Sequence, residues 1–225
     1  MKNIYLMLFL FYAASANANL TDQARWEFEV LLDGKKIGYH DFSVSEVDGV
    51  QTVTTEARFD VKLLFVNVYR YRHKNTEVWR DNCLTSISAD TAANGKDFIV
   101  RGRADTENFR MRSGSVNNDL PACIMTFAYW NPEFLQADQL LNSQTGEYES
   151  VSIEREGEDV LAIKGQDVQA VKYSLSLASG PISLWYAADD HRWLSLESVV
   201  KGGKVLRYEP VNLPRTLSSS YALGG

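Results

Sequence analysis

Apolar and polar residues alternate along most of the chain. Trp26, Phe28, Val30 and Leu32 are apolar, with Glu27, Glu29 and Leu31 between them, the period-two pattern of a half-buried strand. Asp33-Gly34-Lys35-Lys36 predicts a turn, and Ile37 to Val47 a returning strand with Phe42 and Val44 on one face. Asp48-Gly49 is a tight-hairpin signal. A longer run follows, with Val53, Thr55, Ala57, Phe59, Val61, Leu63 and Phe65 on one face, resuming after Asn67 with Tyr69 and Tyr71. Its length predicts a bend or bulge near Lys62 to Asn67. Leu64, Val66 and Val68 point the other way, so this stretch is apolar on both faces and something other than water is expected to cover the second one.

The alternation continues through Thr76 to Arg80 and Leu84 to Ala89, turns at Ala93-Asn94-Gly95-Lys96, and returns over Asp97 to Arg103. Phe109 to Arg112 reads as a short strand and Ser113 to Asp119 as a polar loop. Between residues 126 and 148 the pattern breaks. Asn131-Pro132 matches a helix start, with an N-cap acceptor and a proline where no N–H is needed. Phe134, Ala137 and Leu141 then share one face, predicting an amphipathic helix over 132–142. After Gly146 the spacing predicts a hairpin with its turn at Glu156 to Asp159. Further strands carry Val171, Tyr173, Leu175 and Leu177, then Ile182, Leu184 and Tyr186, with later turns at Asp189-Asp190 and Gly202-Gly203.

These elements predict a mainly β fold, a curved antiparallel sheet or an open or partly closed β-barrel of about 10–12 strands with one short helix. No linker rich in Pro, Gly or Ser divides the chain. Residues 19–210 are therefore read as a single β domain, two β halves joined by helix 132–142, and residues 211–225 as a loose tail.

Composition adds a compartment. Lys2, the apolar run Ile4 to Ala14 and Ala16-Asn17-Ala18 have the three parts of an export signal, with cleavage expected after Ala18. A membrane-spanning helix is the alternative, but it needs about 20 apolar residues. Cleavage leaves a chain without a lipidated cysteine or a later spanning segment, expected in the periplasm and not as an integral membrane protein. The formal charge of −6 becomes −7 without Lys2, which argues against nucleic acid as a partner. The two cysteines, Cys83 and Cys123, most simply form one disulfide in an oxidising compartment, with free thiols or a redox pair as alternatives. The closed loop of about 40 residues is worth roughly 4 kcal/mol in the chain-entropy account.

Candidate chemistry is sparse. His40, His73 and His191 stand in no metal-ligating spacing, there is no nucleophile elbow, and no glycine-rich cradle points to a phosphate or dinucleotide. No cofactor, metal or catalytic residue is therefore expected. On a strand, Tyr69, Tyr71 and His73 face one way, and Arg70, Arg72 and Lys74 the other. Residues 62–112 hold ten Lys and Arg against six Asp and Glu, a local +4 in an acidic chain. This patch is either an anion site or a solvated face that discourages edge pairing. The candidate ligand-binding residues are Tyr69, Arg70, Tyr71, Arg72, Trp130 and Trp185, the tryptophans as pocket walls or plain core.

Three stretches carry a family resemblance: Phe59 to Phe65 with Tyr69-Arg70-Tyr71; Glu77 to Leu84 with Thr91 to Gly95; and Ala128-Tyr129-Trp130-Asn131-Pro132 with Leu140 to Gly146. Together they resemble an exported Gram-negative bacterial family designated only as a domain of unknown function. The likeness covers nearly all of the mature chain, and its third stretch is the most specific. It implies a periplasmic setting and a mostly antiparallel β fold, and it brings no activity or catalytic residue. The shape expected also resembles the open β-barrels of lipoprotein carriers, by fold analogy alone. The leading expectation is a non-enzymatic binding or carrier module for a hydrophobic or lipid-like ligand. An envelope interaction module with a filled core and a hydrolase acting on envelope glycan are the alternatives.

Overall fold

Short, left-handed turns fold the alternating pattern back on itself. Asp33-Gly34, Asp48-Gly49, Asp81-Asn82, Asn94-Gly95 and Lys164-Gly165 take positive φ at both positions, the turn whose twist matches that of two hairpin strands. The computed structural model of the protein describes residues 22–63, 66–200 and 202–215, with the side chains of Asp22 and residues 62–67 excepted. The expected signal at 1–18, the end of the tail from 216, and Leu64 and Phe65 of the two-faced apolar run lie outside the described residues, while Val68 of that run is 48% exposed, against the cover expected on its second face.

Among these residues sixteen strands form: β1 Asp22–Leu32, β2 Lys35–Val47, β3 Val50–Leu63, β4 Val66–Arg80, β5 Cys83–Ala93, β6 Lys96–Ala104, β7 Asn108–Ser113, β8 Val116–Pro121, β9 Met125–Thr126, β10 Gln139–Leu141, β11 Tyr148–Ser150, β12 Ser152–Ile163, β13 Gln166–Ser176, β14 Ile182–Ala187, β15 Trp193–Val200 and β16 Lys204–Asn212. Thirteen belong to one sheet, in the order β12-β13-β14-β15-β16-β1-β2-β3-β4-β5-β6-β7-β8, and β11-β10-β9 form a second. The large sheet is antiparallel throughout, and its edge strands β8 and β12 do not pair, so it is not closed into a barrel. The expected mainly β class holds, with more strands than expected.

Five local readings are corrected. The run from Val53 to Tyr71 is two strands rather than one bent one, because Leu63 pairs with Val66 and the chain reverses there. Residues 113–119 are a hairpin turn plus β8, an edge strand with only Leu120 buried. Glu156 to Asp159 is not a turn but a bulge at Gly157 inside β12. Helix 132–142 shrinks to one 3₁₀ turn, Pro132–Gln136. Its start is as expected, since Asn131 Oδ1 accepts from the Glu133 N–H at 3.0 Å. Ala137 then turns extended (ψ 141°), and Leu140 and Leu141, both fully buried, need a strand covered on both faces rather than a helix with one apolar stripe. Residues 211–214, expected to be loose, are held, since β16 runs to Asn212 and the Pro214 carbonyl accepts from Arg192 Nη1 at 2.9 Å.

The two strand blocks join through β1 and β16 into one continuous surface. Segment 122–151 runs from edge β8 to edge β12 and fills the inner side of the sheet. Trp130 packs edge-on against Trp79 of β4 at 5.8 Å, and Tyr129 lies 5.1 Å from Trp193 of β15. Tyr186 of β14 donates its hydroxyl to the Tyr129 carbonyl at 2.9 Å. One short segment thus touches strands from both wings, which requires the sheet to curl around it. Trp26, Phe28, Val30, Trp79, Phe134, Leu140, Leu141 and Trp193 are all essentially inaccessible, so this plug and the inner face share one core.

A disulfide fastens the plug at its start. Cys83 opens β5 and Cys123 follows β8; they are bonded with their Cα atoms 4.8 Å apart. The Leu84 N–H donates to the Ile124 carbonyl beside it at 3.2 Å. Such a bond is characteristic of chains that fold outside a reducing cytoplasm. No helix among the described residues is long and apolar enough to cross a membrane.

Curling also needs close backbone approach. A Cβ on Gly38 would lie 1.7 Å from the Arg58 carbonyl oxygen of the neighbouring strand, and backbone cannot move aside as a side chain can. Gly38→Ala is expected to lower the unfolding free energy by about 2 kcal/mol through overpacking, read from urea unfolding curves.

Candidate ligand cavity

The inner face of β4 is unusual for a core strand. Tyr71, His73, Asn75, Glu77 and Trp79 alternate inward, and three of these carry strongly polar groups. His73, Asn75 and Glu77 are 4%, 6% and 4% exposed, while Arg70, Arg72 and Lys74 occupy the outer face. The register explains what lies between them. His40 of β2, Ala57 of β3 and His73 share one rung; Phe42, Thr55 and Asn75 share the next; Val44, Val53 and Glu77 the one after. Small side chains, Ala57 and Thr55, stand in the middle strand where bulky ones would fill the curve. Space remains there, a cavity of about 310 Å³ between the sheet and the plug, near the lower limit for small-molecule sites.

Its walls mix rings and polar groups. Phe42, Tyr71, Phe127, Tyr129, Trp130 and Tyr208 supply aromatic surface, and Leu177, Ile182, Leu196 and Leu206 aliphatic surface. Exposed Ser179 and half-buried Ser198 are also part of the lining, so the cavity reaches solvent on the β14–β16 side. On another side the loop after β10 closes down, because the Tyr71 hydroxyl donates to Gln144 Oε1 at 3.1 Å. Phe59 stacks on Tyr71 with ring centres 5.0 Å apart and holds it in place.

The polar groups are tied in pairs. His40 Nδ1 lies 3.0 Å from the Tyr208 hydroxyl, and His73 Nδ1 lies 2.7 Å from Thr91 Oγ1. Glu77 accepts three hydrogen bonds, from Asn75 Nδ2 at 2.9 Å, Trp79 Nε1 at 3.0 Å and Thr126 Oγ1 at 3.3 Å. Two polar atoms are left over: His40 Nε2 and Asn75 Oδ1 are buried without a partner, a state that native structures seldom leave uncompensated.

Burial sets the charge states. It pushes His40 well below the usual imidazole value, with His73 adding to the effect. Burial likewise lowers His73 to about 4, against a weaker opposing pull from Asp90. Both rings are therefore neutral at neutral pH. Burial holds the Glu77 carboxyl above its ordinary range, and its three donors offset only part of that rise. Two of those donors, the indole and amide N–H groups, can only donate, so each carboxyl oxygen acts as an acceptor toward one of them.

The structure separates the six sequence candidates. Tyr71 and Trp130 line the cavity. Tyr69 sits further out on the same strand, 37% exposed. Arg70 and Arg72 are on the outer face around Asp60, with Arg72 Nη2 at 3.1 Å and Arg70 Nε at 3.9 Å. Burial opposes it, but the hydrogen bonds from Arg58 and Arg72 hold the Asp60 carboxyl below its ordinary range. Trp185 is also outside: it belongs to a small second cluster with Ala170, Ala187 and Leu194, and its Nε1 donates to Asp159 at 2.8 Å. His40, His73, Asn75, Glu77 and Tyr208 were not among the candidates. The available signal was β4 itself, since a long strand polar on both faces cannot lie against a wholly dry core.

No group of three His, Cys, Asp or Glu side chains among the described residues is placed to hold a metal ion. No curated protein matches the chain. A solved structure similar to it is the crystal structure of a β-barrel-like protein of the domain of unknown function DUF1849 from Brucella abortus. The two align with a TM-score of 0.61 at 9% identity, over 85% of this chain and 96% of the other, a likeness of fold alone. Residues 28–211, nearly the whole described β structure, match the domain of unknown function DUF6134, and the chain belongs to that family.

Proposed function

We propose that the protein is a periplasmic binding module that encloses a small, partly apolar molecule between its inner sheet face and the plug. The observation that carries this reading is the cavity itself. It is walled by aromatic side chains, yet two of its lining residues, His40 and Asn75, each keep a buried polar atom without a partner, an arrangement that a bound molecule would complete once those side chains turn toward it. The Cys83–Cys123 bond supports a setting outside the cytoplasm. An interior of this kind favours ligand binding over a purely structural module.

Catalysis is the second reading, because His40, His73, Glu77 and Glu149 line one cavity. The proton affinities weigh against it. A general base works best near the ambient pH, whereas His73 is lowered to about 4 and His40 also lies well below its ordinary value. Both oxygens of Glu77 are already engaged by donors.

The test uses the neutral apolar dye N-phenyl-naphthylamine, whose fluorescence rises on leaving water. Saturable enhancement is expected, together with native mass spectra of gently purified protein showing a bound small molecule. Ser198→Trp fills the solvent-facing side and should weaken dye binding by about tenfold, equivalent to roughly 1.4 kcal/mol, with an unchanged melting temperature. Dye binding that is absent, or indifferent to Ser198→Trp, would remove the reading.

A further inference from the structure

Among the residues that line the cavity there is no lysine or arginine, whereas Glu77 and Glu149 both contribute carboxylates. The arginines of β4 lie on the outer face, across the thickness of the sheet. Glu77 is 4% exposed, and its partners are three neutral donors. It forms no ion pair among the described residues. A buried carboxylate in a folded protein ordinarily has a cation against it. Asn75, 6% exposed, adds a carboxamide oxygen that is buried and accepts nothing. That oxygen requires an N–H or O–H donor. On the rung of Asn75 the surface becomes aromatic at Phe42, and Tyr129 and Trp130 of the plug border the same space. A carboxylate, a free acceptor and ring faces are the three surfaces that attract an ammonium group.

We propose that the cavity takes an organic cation, a small molecule with a protonated amine directed to Asn75 and Glu77 and an apolar body against the aromatic wall. The proposal rests on the cavity being a binding site, and it adds the sign of the ligand's charge. Fatty-acid carboxylates and phosphate headgroups are disfavoured. Two carboxylates would repel them, and neither histidine is protonated to receive them. The amine would supply Glu77 with its missing counter-charge and Asn75 Oδ1 with its missing donor. One rung further out, the neutral imidazoles of His40 and His73 are compatible with a neighbouring cation, which further disfavours their protonation.

The experiment compares three probes of one body: octylamine, octanol and octanoate, each displacing N-phenyl-naphthylamine at pH 7 and matched ionic strength. Octylamine is expected to bind at least about tenfold more tightly than octanol, with octanoate weakest, a preference equivalent to roughly 1.4 kcal/mol. The variant Glu77→Gln should lose that amine preference, octylamine then binding no more tightly than octanol. It is expected to fold. The glutamine oxygen still accepts from Trp79 and Thr126, and its amide donates to Asn75 Oδ1 once the Asn75 carboxamide turns over. Octanoate binding as tightly as octylamine would overturn the charge assignment while leaving the binding reading intact. So would octylamine and octanol binding equally, or an amine preference that survives Glu77→Gln. If none of the probes binds and the dye does not either, both readings fall together.

Discussion

Replacing Cys83 and Cys123 together by serine is expected to lower the unfolding free energy by about 4 kcal/mol, the chain-entropy value for a loop of roughly 40 residues. The bond closes a loop that contains β5, β6, β7 and β8 and ends where the plug begins. Without it the unfolded chain gains freedom. The folded state also loses the covalent tie between the plug and the β4–β5 hairpin, leaving that junction to the Leu84 to Ile124 backbone bond, the Thr126 to Glu77 and Asn131 to Asn82 side-chain bonds and the packing of Trp130 on Trp79. Urea unfolding of the wild type, the double variant and the reduced wild type measures the change. The last two should agree with each other, and both should show a steeper denaturant dependence than the wild type, because an uncrosslinked unfolded chain exposes more surface. Hydrogen exchange should accelerate most at 122–130 and in β8, and least at the β1–β16 seam. A loss below about 1 kcal/mol would mean that the folded core alone fixes the plug, against the entropic account of this crosslink.

The sequence carried the sheet well and the cavity poorly, for reasons that particular residues make plain. Strands with one solvated face alternate visibly, so β1, β2, β5 and β16 follow from Trp26-Glu27-Phe28-Glu29 and similar runs. Where a strand lacks a buried face the signal disappears: Val116 to Asp119 are exposed on edge strand β8 and read as loop. Gly157 sits in a polar stretch that resembles a turn, although the true reversal is at Lys164-Gly165. Leu141 fits the apolar face of a helix in sequence and Leu140 its margin, yet both occupy a strand covered on both sides. The cavity depends on what stands opposite what. Ala57 and Thr55 leave space only because the register sets them between His40 and His73 and between Phe42 and Asn75. Such pairing across strands separated by turns is invisible to periodicity along one strand. The outward placement of Trp185, by contrast, follows from alternation alone: it lies between Leu184 and Tyr186, which point into the core while it points away.

Acidification is expected to remove about 3 kcal/mol of stability between pH 7 and pH 4, the linkage value for a histidine moved from 6.5 to about 4. The sign follows from which state holds the proton. The folded protein keeps His73 neutral and the unfolded chain protonates it near 6.5, so the unfolded state binds more protons in this window. The contribution is complete above pH 6.5 and is lost as the pH falls through the folded value. His40 acts in the same direction, since burial lowers it too. Glu77 acts in the opposite direction: its raised carboxyl takes up a proton more readily in the folded state, which offsets part of the loss. The outer-face Asp90 slightly favours protonated His73 and softens the transition. Urea unfolding at half-unit pH steps should therefore show stability falling most steeply below pH 6. The variant His73→Gln keeps a polar partner for Thr91 and cannot titrate, so its curve should be flatter by most of that amount. An unchanged slope in His73→Gln would place the acid sensitivity elsewhere in the molecule. A flattened one would tie it to the neutral imidazole of the cavity, the same group that ligand-bearing protein is expected to hold uncharged.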